Sequence, residues 1–262
     1  MHDENDGHKL KIRRQRLSCR RVKISIIVPA FNEEKLLAAS LGEIHAAAAA
    51  FTARGWEFEL VVCDNNSTDG TAEIARAAGA RVVFEPVNQI ARARNTGASI
   101  ATGDWLVFVD ADTHPSAGLF ADVAGQISSG KTLAGGVTIR LDEKLLVADL
   151  ITHFWNYASR FNQLMAGSFI FVEAAAFRQT GGFSHEFFAA EELELSQRLK
   201  KMARESKRKI VILHRHPIKT SARKMKLYSG RELGSFFLRS IFNHRRTVRD
   251  PKAAYMWYDG RR

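Results

Sequence analysis

The 262-residue chain carries 39 Lys+Arg against 28 Asp+Glu, a formal charge of +11, with 45% hydrophobic residues. That apolar content builds a sizeable core and excludes general disorder, and the length suits one large α/β domain, alone or with appendages. Two cysteines, Cys19 and Cys63, exclude a disulfide framework and a four-thiolate zinc site and fit a reducing, cytoplasmic compartment.

Residues 1–23 hold 8 Lys+Arg and 3 Asp+Glu and show no periodic apolar pattern. They read as a basic tail, either disordered with solvated charge or facing an anionic partner. No secretory signal is expected there, and no run in the chain approaches the roughly 18 apolar residues of a transmembrane helix. Ile24 to Val28 is a β-branched run ending at Pro29 and predicts a buried strand. Leu37, Leu41, Ile44, Ala48 and Phe51 recur at helical spacing, and Gly55 closes that helix. Phe58 to Cys63 is a second strand, stopped by the polar run Asp64-Asn65-Asn66-Ser67-Thr68-Asp69-Gly70, which reads as a loop with Asx turns. A short helix to Gly79, a strand over Arg81 to Phe84 and a helix over Ile90 to Ala101 follow. Trp105 to Val109 is a fourth strand, ending at Asp110-Ala111-Asp112.

Strand–helix alternation in short units implies βαβ crossovers and a parallel sheet. Ligands bind such sheets at the carboxyl ends of the strands. Three strands end in polar motifs: Pro29-Ala30-Phe31-Asn32-Glu33, Asp64-Asn65-Asn66 and Asp110-Ala111-Asp112. Beyond residue 115 the pattern changes. A strand over Leu133 to Leu141, a helix over Leu145 to Leu164 and a strand over Ser168 to Val172 are expected. Gly181-Gly182-Phe183 then leads to an acidic helix start at Glu191, a short strand over Ile210 to Leu213 and basic helical segments. The chain divides accordingly into 1–23, 24–115, 116–225 and 226–262.

Charge follows a related division. Residues 24–197 carry 11 Lys+Arg and 21 Asp+Glu, whereas residues 198–262 carry 20 and 4. An acidic body between basic ends suits a metal site and argues against a nucleic-acid groove. The basic block at 198–262, with Leu233, Phe236, Phe237, Ile241 and Phe242, suits either an anionic membrane surface or a packed helix with solvated charge.

Asp110 and Asp112 offer two hard oxygen ligands for Mg²⁺ or Mn²⁺, or form a surface turn. Asp64 could accept hydrogen bonds from a base or ribose, or simply form its turn. Arg92 and Arg94 could reach a phosphate, or lie on a solvated helix face. Glu191 and Glu192 open a helix, where carboxylates also favour the dipole without any catalytic role.

Taken in order, Ser25-Ile-Ile-Val-Pro-Ala-Phe-Asn-Glu-Glu34, Asp64…Ser67-Thr-Asp-Gly-Thr71, Ala93-Arg-Asn-Thr-Gly97, Phe108-Val-Asp-Ala-Asp112 and Gly181-Gly-Phe183 followed by Glu191-Glu192 resemble family-2 glycosyltransferases over residues 24–225. The resemblance implies a GT-A fold: a Rossmann-like, mostly parallel sheet flanked by helices, with an acceptor-side subregion. It implies a UDP- or GDP-linked sugar donor and one sugar transferred with inversion to an unidentified acceptor hydroxyl. Pro29, Phe31, Glu33, Asp64 and Ala111 would lie along the donor, with Arg94, Arg92 and Arg223 toward its diphosphate. Asp110 and Asp112 would hold the metal, with His214 or His216 as a further ligand, and Glu192 would be the base beside Glu191. Two positions depart from the pattern: Asn65 stands where an aspartate is common, and Glu192 stands where the base is commonly aspartate. The transmembrane helices and Gln-x-x-Arg-Trp signature of processive members are absent. A nucleotidyltransferase would need a Gly-rich loop after the first strand, which Pro29-Ala30-Phe31-Asn32 is not. A non-catalytic nucleotide-binding member remains an alternative.

Overall fold

The computed structural model describes residues 21–143, 146–221 and 249. Strand β1 (Lys23–Ala30) is buried along all but its first residue, as its β-branched run requires. Helix α1 (Leu37–Thr52), β2 (Glu57–Asp64), α2 (Thr71–Ala77), β3 (Arg81–Phe84), α3 (Ile90–Ile100) and β4 (Trp105–Val109) follow. The strands lie in the order β3-β2-β1-β4, all parallel. Register aligns their carboxyl ends, with Ala30 opposite Asp64, Asp64 opposite Phe84, and Ile27 opposite Phe108.

The sheet continues through β7 (Phe169–Glu173), β6 (Thr132–Leu141), β8 (Lys209–Thr220) and the two-residue β5 (Thr113–His114). Here β7 runs antiparallel to β4 and β6, β6 and β8 are parallel, and β5 is antiparallel to β8. Around it lie α4 (Ala117–Ser128), α5 (Leu146–Asn162), α6 (Ala174–Gln179) and α7 (Glu191–Glu205). The parallel expectation thus describes the first four strands, and the second half is mixed.

Side chains divide by strand alternation. Ile24, Ile26 and Val28 pack with Leu41, Phe51, Leu119 and Phe120 on the face covered by α1 and α4. Ile27 and Val61 pack with Phe108, Phe177, Leu195 and Leu199 on the other. Each such side chain contributes about 1.5–3 kcal/mol on burial. Gly97 lets α3 lie directly on β1, since a Cβ there would sit 2.6 Å from Ile27 Cγ2.

Several elements differ from the sequence reading, the short β5 among them. β8 extends to Thr220, through exposed His214-Arg215-His216-Pro217, whose polar run hides a strand from any apolar count. Helices α4 and α6 are also absent from that reading. The first was signalled by Ser116, whose hydroxyl accepts from Leu119 N, followed by Leu119, Phe120, Val123 and Ile127. The expectations for residues 1–20, for Arg223 and for 226–262 lie outside the described residues, apart from Arg249. Among the described residues, no helix is long and apolar enough to cross a membrane.

Candidate active site

A cleft of about 290 Å³ opens at the carboxyl ends of β1, β2 and β4 and is walled on its far side by the start of α7. Its first rim is fixed by hydrogen bonds between backbone N–H groups and side-chain oxygens of adjacent loops. Asn32, at φ 52°, donates through its N–H to Ser67 Oγ at 3.0 Å, and its Oδ1 accepts from Thr68 N at 2.8 Å. Glu33 N donates to Thr71 Oγ1 at 2.8 Å. These contacts hold Pro29, Phe31 and Glu33 along the cleft.

Asp64 is buried and does not line the cleft; its Oδ1 accepts from Ser67 N at 3.0 Å, the Asx turn read from the sequence. Asn65 lines it instead. Its Nδ2 donates to Val87 O at 2.6 Å and its Oδ1 accepts from Gln89 N at 3.0 Å. An aspartate could accept but not donate here, so the departure at position 65 has a structural reason.

Beyond β4 the chain turns at once. Thr113 N and Oγ1 donate to Asp110 O at 3.1 and 2.6 Å, and both aspartates line the cleft. Asp112 is buried, and its carboxylate pairs with no cationic side chain among the described residues. Asp110 is engaged: its Oδ1 accepts from Arg94 Nη2 at 2.9 Å.

Arg94 joins the two halves. It is 2% exposed, donates from Nη1 to Glu191 Oε1 at 2.6 Å and from Nη2 to Gly167 O at 2.7 Å, and lies 5.2 Å from the Phe183 ring centre. Burial opposes its charge, but Asp110, Glu191 and Glu192 outweigh burial and hold the guanidinium above the ordinary arginine range. Gly167 is small by need: a Cβ would come within 3.2 Å of Arg94 Nη2. Arg92 is turned elsewhere, with Nε donating to Gln89 Oε1 at 3.1 Å, and is not in the cleft wall.

Helix α7 starts abruptly after Ala190, at φ 61°. A left-handed alanine costs of order 1–3 kcal/mol and turns the chain so that the first helical residues face the cleft. Glu191 and Glu192 both line it. Burial pushes the Glu191 carboxyl up, and Arg94 beside it opposes. Burial, then the Glu191 charge, push Glu192 up to about 8.

The preceding segment is clasped to α3. Asn95 Nδ2 donates to Phe183 O at 2.8 Å and Phe183 N donates to Asn95 Oδ1 at 2.9 Å. Gly182, at φ 73°, has no room for a Cβ, which would lie 2.6 Å from Asn95 Oδ1. Arg198 secures the same segment, donating to Gly182 O at 2.7 Å and to Glu194 Oε1 at 2.7 Å.

The histidines lie away from the cleft. His216 Nδ1 sits 2.9 Å from Asp122 Oδ2 on α4, over Gly118, and His214 is exposed on β8. Among the described residues, no group of three or more His, Cys, Asp or Glu is poised around one point. The cleft also contains residues that the sequence reading does not single out: Asn88, Ile90, Ile139, Gly167, Ser168, Phe188 and Thr220. Ser168 Oγ is buried without a hydrogen-bond partner among the described residues. Its signal was its place at the head of the strand antiparallel to the Asp110 strand.

The sequence model described as Glycosyl transferase family 2 matches residues 25–180. An uncharacterized glycosyltransferase of Mycobacterium tuberculosis is 33% identical over 113 residues, covering 43% of this chain and 47% of that protein. The validoxylamine A glucosyltransferase of Streptomyces hygroscopicus subsp. limoneus is 34% identical over 93 residues, 33% of this chain and 20% of that protein. These matches therefore span less than half the length of either relative. Among solved structures, the mannosyltransferase PcManGT of Pyrobaculum calidifontis in complex with GDP-Man and Mn²⁺ superposes with TM-score 0.62 at 19% identity, over 92% of this chain and 74% of that one. S. aureus TarS in complex with UDP-GlcNAc superposes with TM-score 0.58 at 18% identity, over 89% and 69%. At these identities the structural likeness establishes the fold, and that fold is GT-A.

Proposed function

The chain belongs to glycosyl transferase family 2, and from that premise we propose that it transfers one sugar from a UDP- or GDP-linked donor to an acceptor hydroxyl, with inversion and with a divalent metal. The observation that carries this reading is one cleft with Asp110 and Asp112 on one wall, Glu191 and Glu192 on the other, and Arg94 joined to both. Support for the donor class comes from the solved structures with GDP-Man and UDP-GlcNAc.

The donor set fits Mg²⁺ or Mn²⁺. Asp112 supplies a buried carboxylate without a cationic partner among the described residues, and Asp110 keeps one oxygen beyond the one that Arg94 holds. Two carboxylates leave room for diphosphate oxygens to complete the shell. When bound, the metal would supply positive charge beside the departing diphosphate.

Phe31, Glu33 and Asn65 flank the nucleoside, with Asp64 holding the turn behind them. Arg94 uses both terminal nitrogens on protein acceptors, so its role is to fix Asp110 and Glu191 and to add positive charge behind them. Glu192 takes the proton of the acceptor hydroxyl as that oxygen bonds to the anomeric carbon. The bond from that carbon to the diphosphate breaks, and the nucleoside diphosphate leaves with its electron pair. Attack from the face opposite the leaving group inverts the centre. A base with its pKa near the working pH is suited to this proton transfer.

Calorimetry tests the reading. UDP or GDP should bind the wild-type chain in a Mn²⁺-dependent manner, and Asp112→Asn should lose that dependence. Metal-dependent binding that is unchanged in Asp112→Asn overturns the assignment.

A further inference from the structure

Helix α5 presents an apolar ridge that nothing in the described chain covers. Leu150, Phe154, Tyr157 and Phe161 are 73%, 72%, 71% and 78% exposed. Their spacing of four, three and four residues puts them in one line along the helix. The Tyr157 and Phe161 rings stack with centres 6.4 Å apart, so the line is continuous at its aromatic end.

The helix beneath the ridge is firmly held. Asn156 clasps the β6 backbone from both sides, accepting from Ile139 N at 2.9 Å and donating to Ile139 O at 2.8 Å. At its end, Ser159 Oγ donates to Leu164 O at 2.6 Å. Large apolar side chains fixed in an exposed line mark an interaction surface.

Area and charge select the occupant. Aromatic side chains bury roughly 150–250 Å² each, so at these exposures the ridge offers about 600 Å². A stable protein partner takes about 800 Å² per side, and a single-file convex ridge would need a matching groove. A lipid headgroup layer yields around such a ridge and needs no groove. The charge agrees. Arg160 adjoins Phe161, and exposed Arg140 and Lys219 are cross-strand partners one residue along from the Asn156 clasp. Of the nearby acids, Asp149 lies in the first turn of the helix, and Asp142 lies two positions beyond Arg140, where its N–H donates to Thr220 O at 3.0 Å. Aromatic side chains among arginine and lysine match the interfacial layer of an anionic bilayer.

We propose that α5 docks on an anionic lipid bilayer, with Phe154, Tyr157 and Phe161 inserted among the headgroups and Arg160, Arg140 and Lys219 on lipid phosphates. The chain runs from α5 to Gly167 and Ser168 in the cleft wall within six residues of Asn162. Docking therefore ties the acceptor side of the cleft to the surface, and it stands whether or not the sugar-transfer reading holds.

The test is co-sedimentation of the full chain with vesicles of phosphatidylcholine mixed with phosphatidylglycerol, and with vesicles of phosphatidylcholine alone. The wild type should partition onto the mixed vesicles and weakly onto the neutral ones. Phe154→Ala/Phe161→Ala should lose about tenfold or more of that partition. Both side chains are exposed, so the variant should keep the wild-type melting temperature and elute as the wild type does in size-exclusion chromatography. Equal partition of variant and wild type overturns the proposal, as does equal partition onto both vesicle types. A variant that changes oligomeric state while its partition is unaltered assigns the ridge to a second copy and overturns it too.

Discussion

The two walls of the cleft are built by different means. On the donor side, residues 24–115, Pro29 to Glu33, Asn65, Asp110 and Asp112 lie at the ends of hydrophobic strands or within three positions of them, and adjacent loops are tied by hydrogen bonds between a backbone N–H and a neighbouring side chain, such as Thr68 N to Asn32 Oδ1 and Glu33 N to Thr71 Oγ1. On the acceptor side, the acidic pair follows a stretch with no regular element, and its position depends on side chains reaching across the chain: Arg94 to Glu191, Asn95 to Phe183, Arg198 to Gly182. A wall made of strand ends inherits the precision of the sheet. A wall made of clasps is only as exact as each clasp, so single substitutions should act more sharply there.

The largest expected effect is at Glu192. Glu192→Gln keeps size and removes the proton acceptor, and kcat should fall by about 10²–10⁴ with donor affinity nearly unchanged, as steady-state kinetics and calorimetry would report. Glu192→Asp should retain more activity than the glutamine variant. If Glu191→Gln is inactive while Glu192→Gln turns over normally, the roles of the pair are exchanged.

Next comes the bridge between the walls. Arg94→Met leaves Glu191 and Asp110 without their cation and should cost roughly 3–5 kcal/mol in urea unfolding, the range for breaking a buried pair from one side. Adding Glu191→Gln should recover part of that loss. Equal losses in the single and double variants would show that Arg94 acts by packing on Phe183 and not by charge.

A third test uses pH. Glu192 is raised from 4.5 to about 8, so its protonated form is the one that the fold favours. Its contribution to stability is full below about pH 4.5 and declines as pH rises toward about 8, because the unfolded chain releases that proton first. Glu192→Gln should therefore melt higher than wild type at alkaline pH, by roughly 2–4 °C for each kcal/mol recovered, and the gap should close in acid. In the wild type the acid limb of kcat/KM should lie well above the ordinary carboxylate range. A limb near pH 4 would remove the burial argument.

The smallest effect sharpens the clasp itself. Gly182→Ala combines a positive φ with a close approach to Asn95 and should cost about 1–3 kcal/mol, whereas Gly181→Ala, at φ 80° with open space around it, should cost about 1 kcal/mol. Equal melting temperatures for the two variants would show that Asn95 gives way.

The same contrast explains what the sequence disclosed. Ile24–Val28 and Trp105–Val109 announce strands because a buried parallel strand has to be apolar throughout, and the motifs after them mark the cleft. Glu191 was legible as a helix start from its acidic first turn and following leucines. The pairing of Arg94 with Glu191 was not, since it spans 97 positions and no local pattern encodes it. Nor was the detour of His216 to Asp122, which depends on where β8 passes over Gly118. Asn65 looked like a departure until the backbone it braces, at Val87 and Gln89, was in view.

The Arg94–Glu191 bridge also has a consequence for synthesis. A chain made from its N-terminus at about 5–20 residues per second produces Arg94 roughly 5–20 s before the carboxylate that it will hold. Through that interval the half-built sheet contains a guanidinium destined for burial, with Asp110 as its ion-pair partner from its own half. Burying it early would be costly, so that corner of the nascent domain stays hydrated and open until residue 191 has emerged. The bridge that joins the wall for the donor to the wall for the acceptor is in this sense a late event of synthesis, made only once residue 191 has emerged.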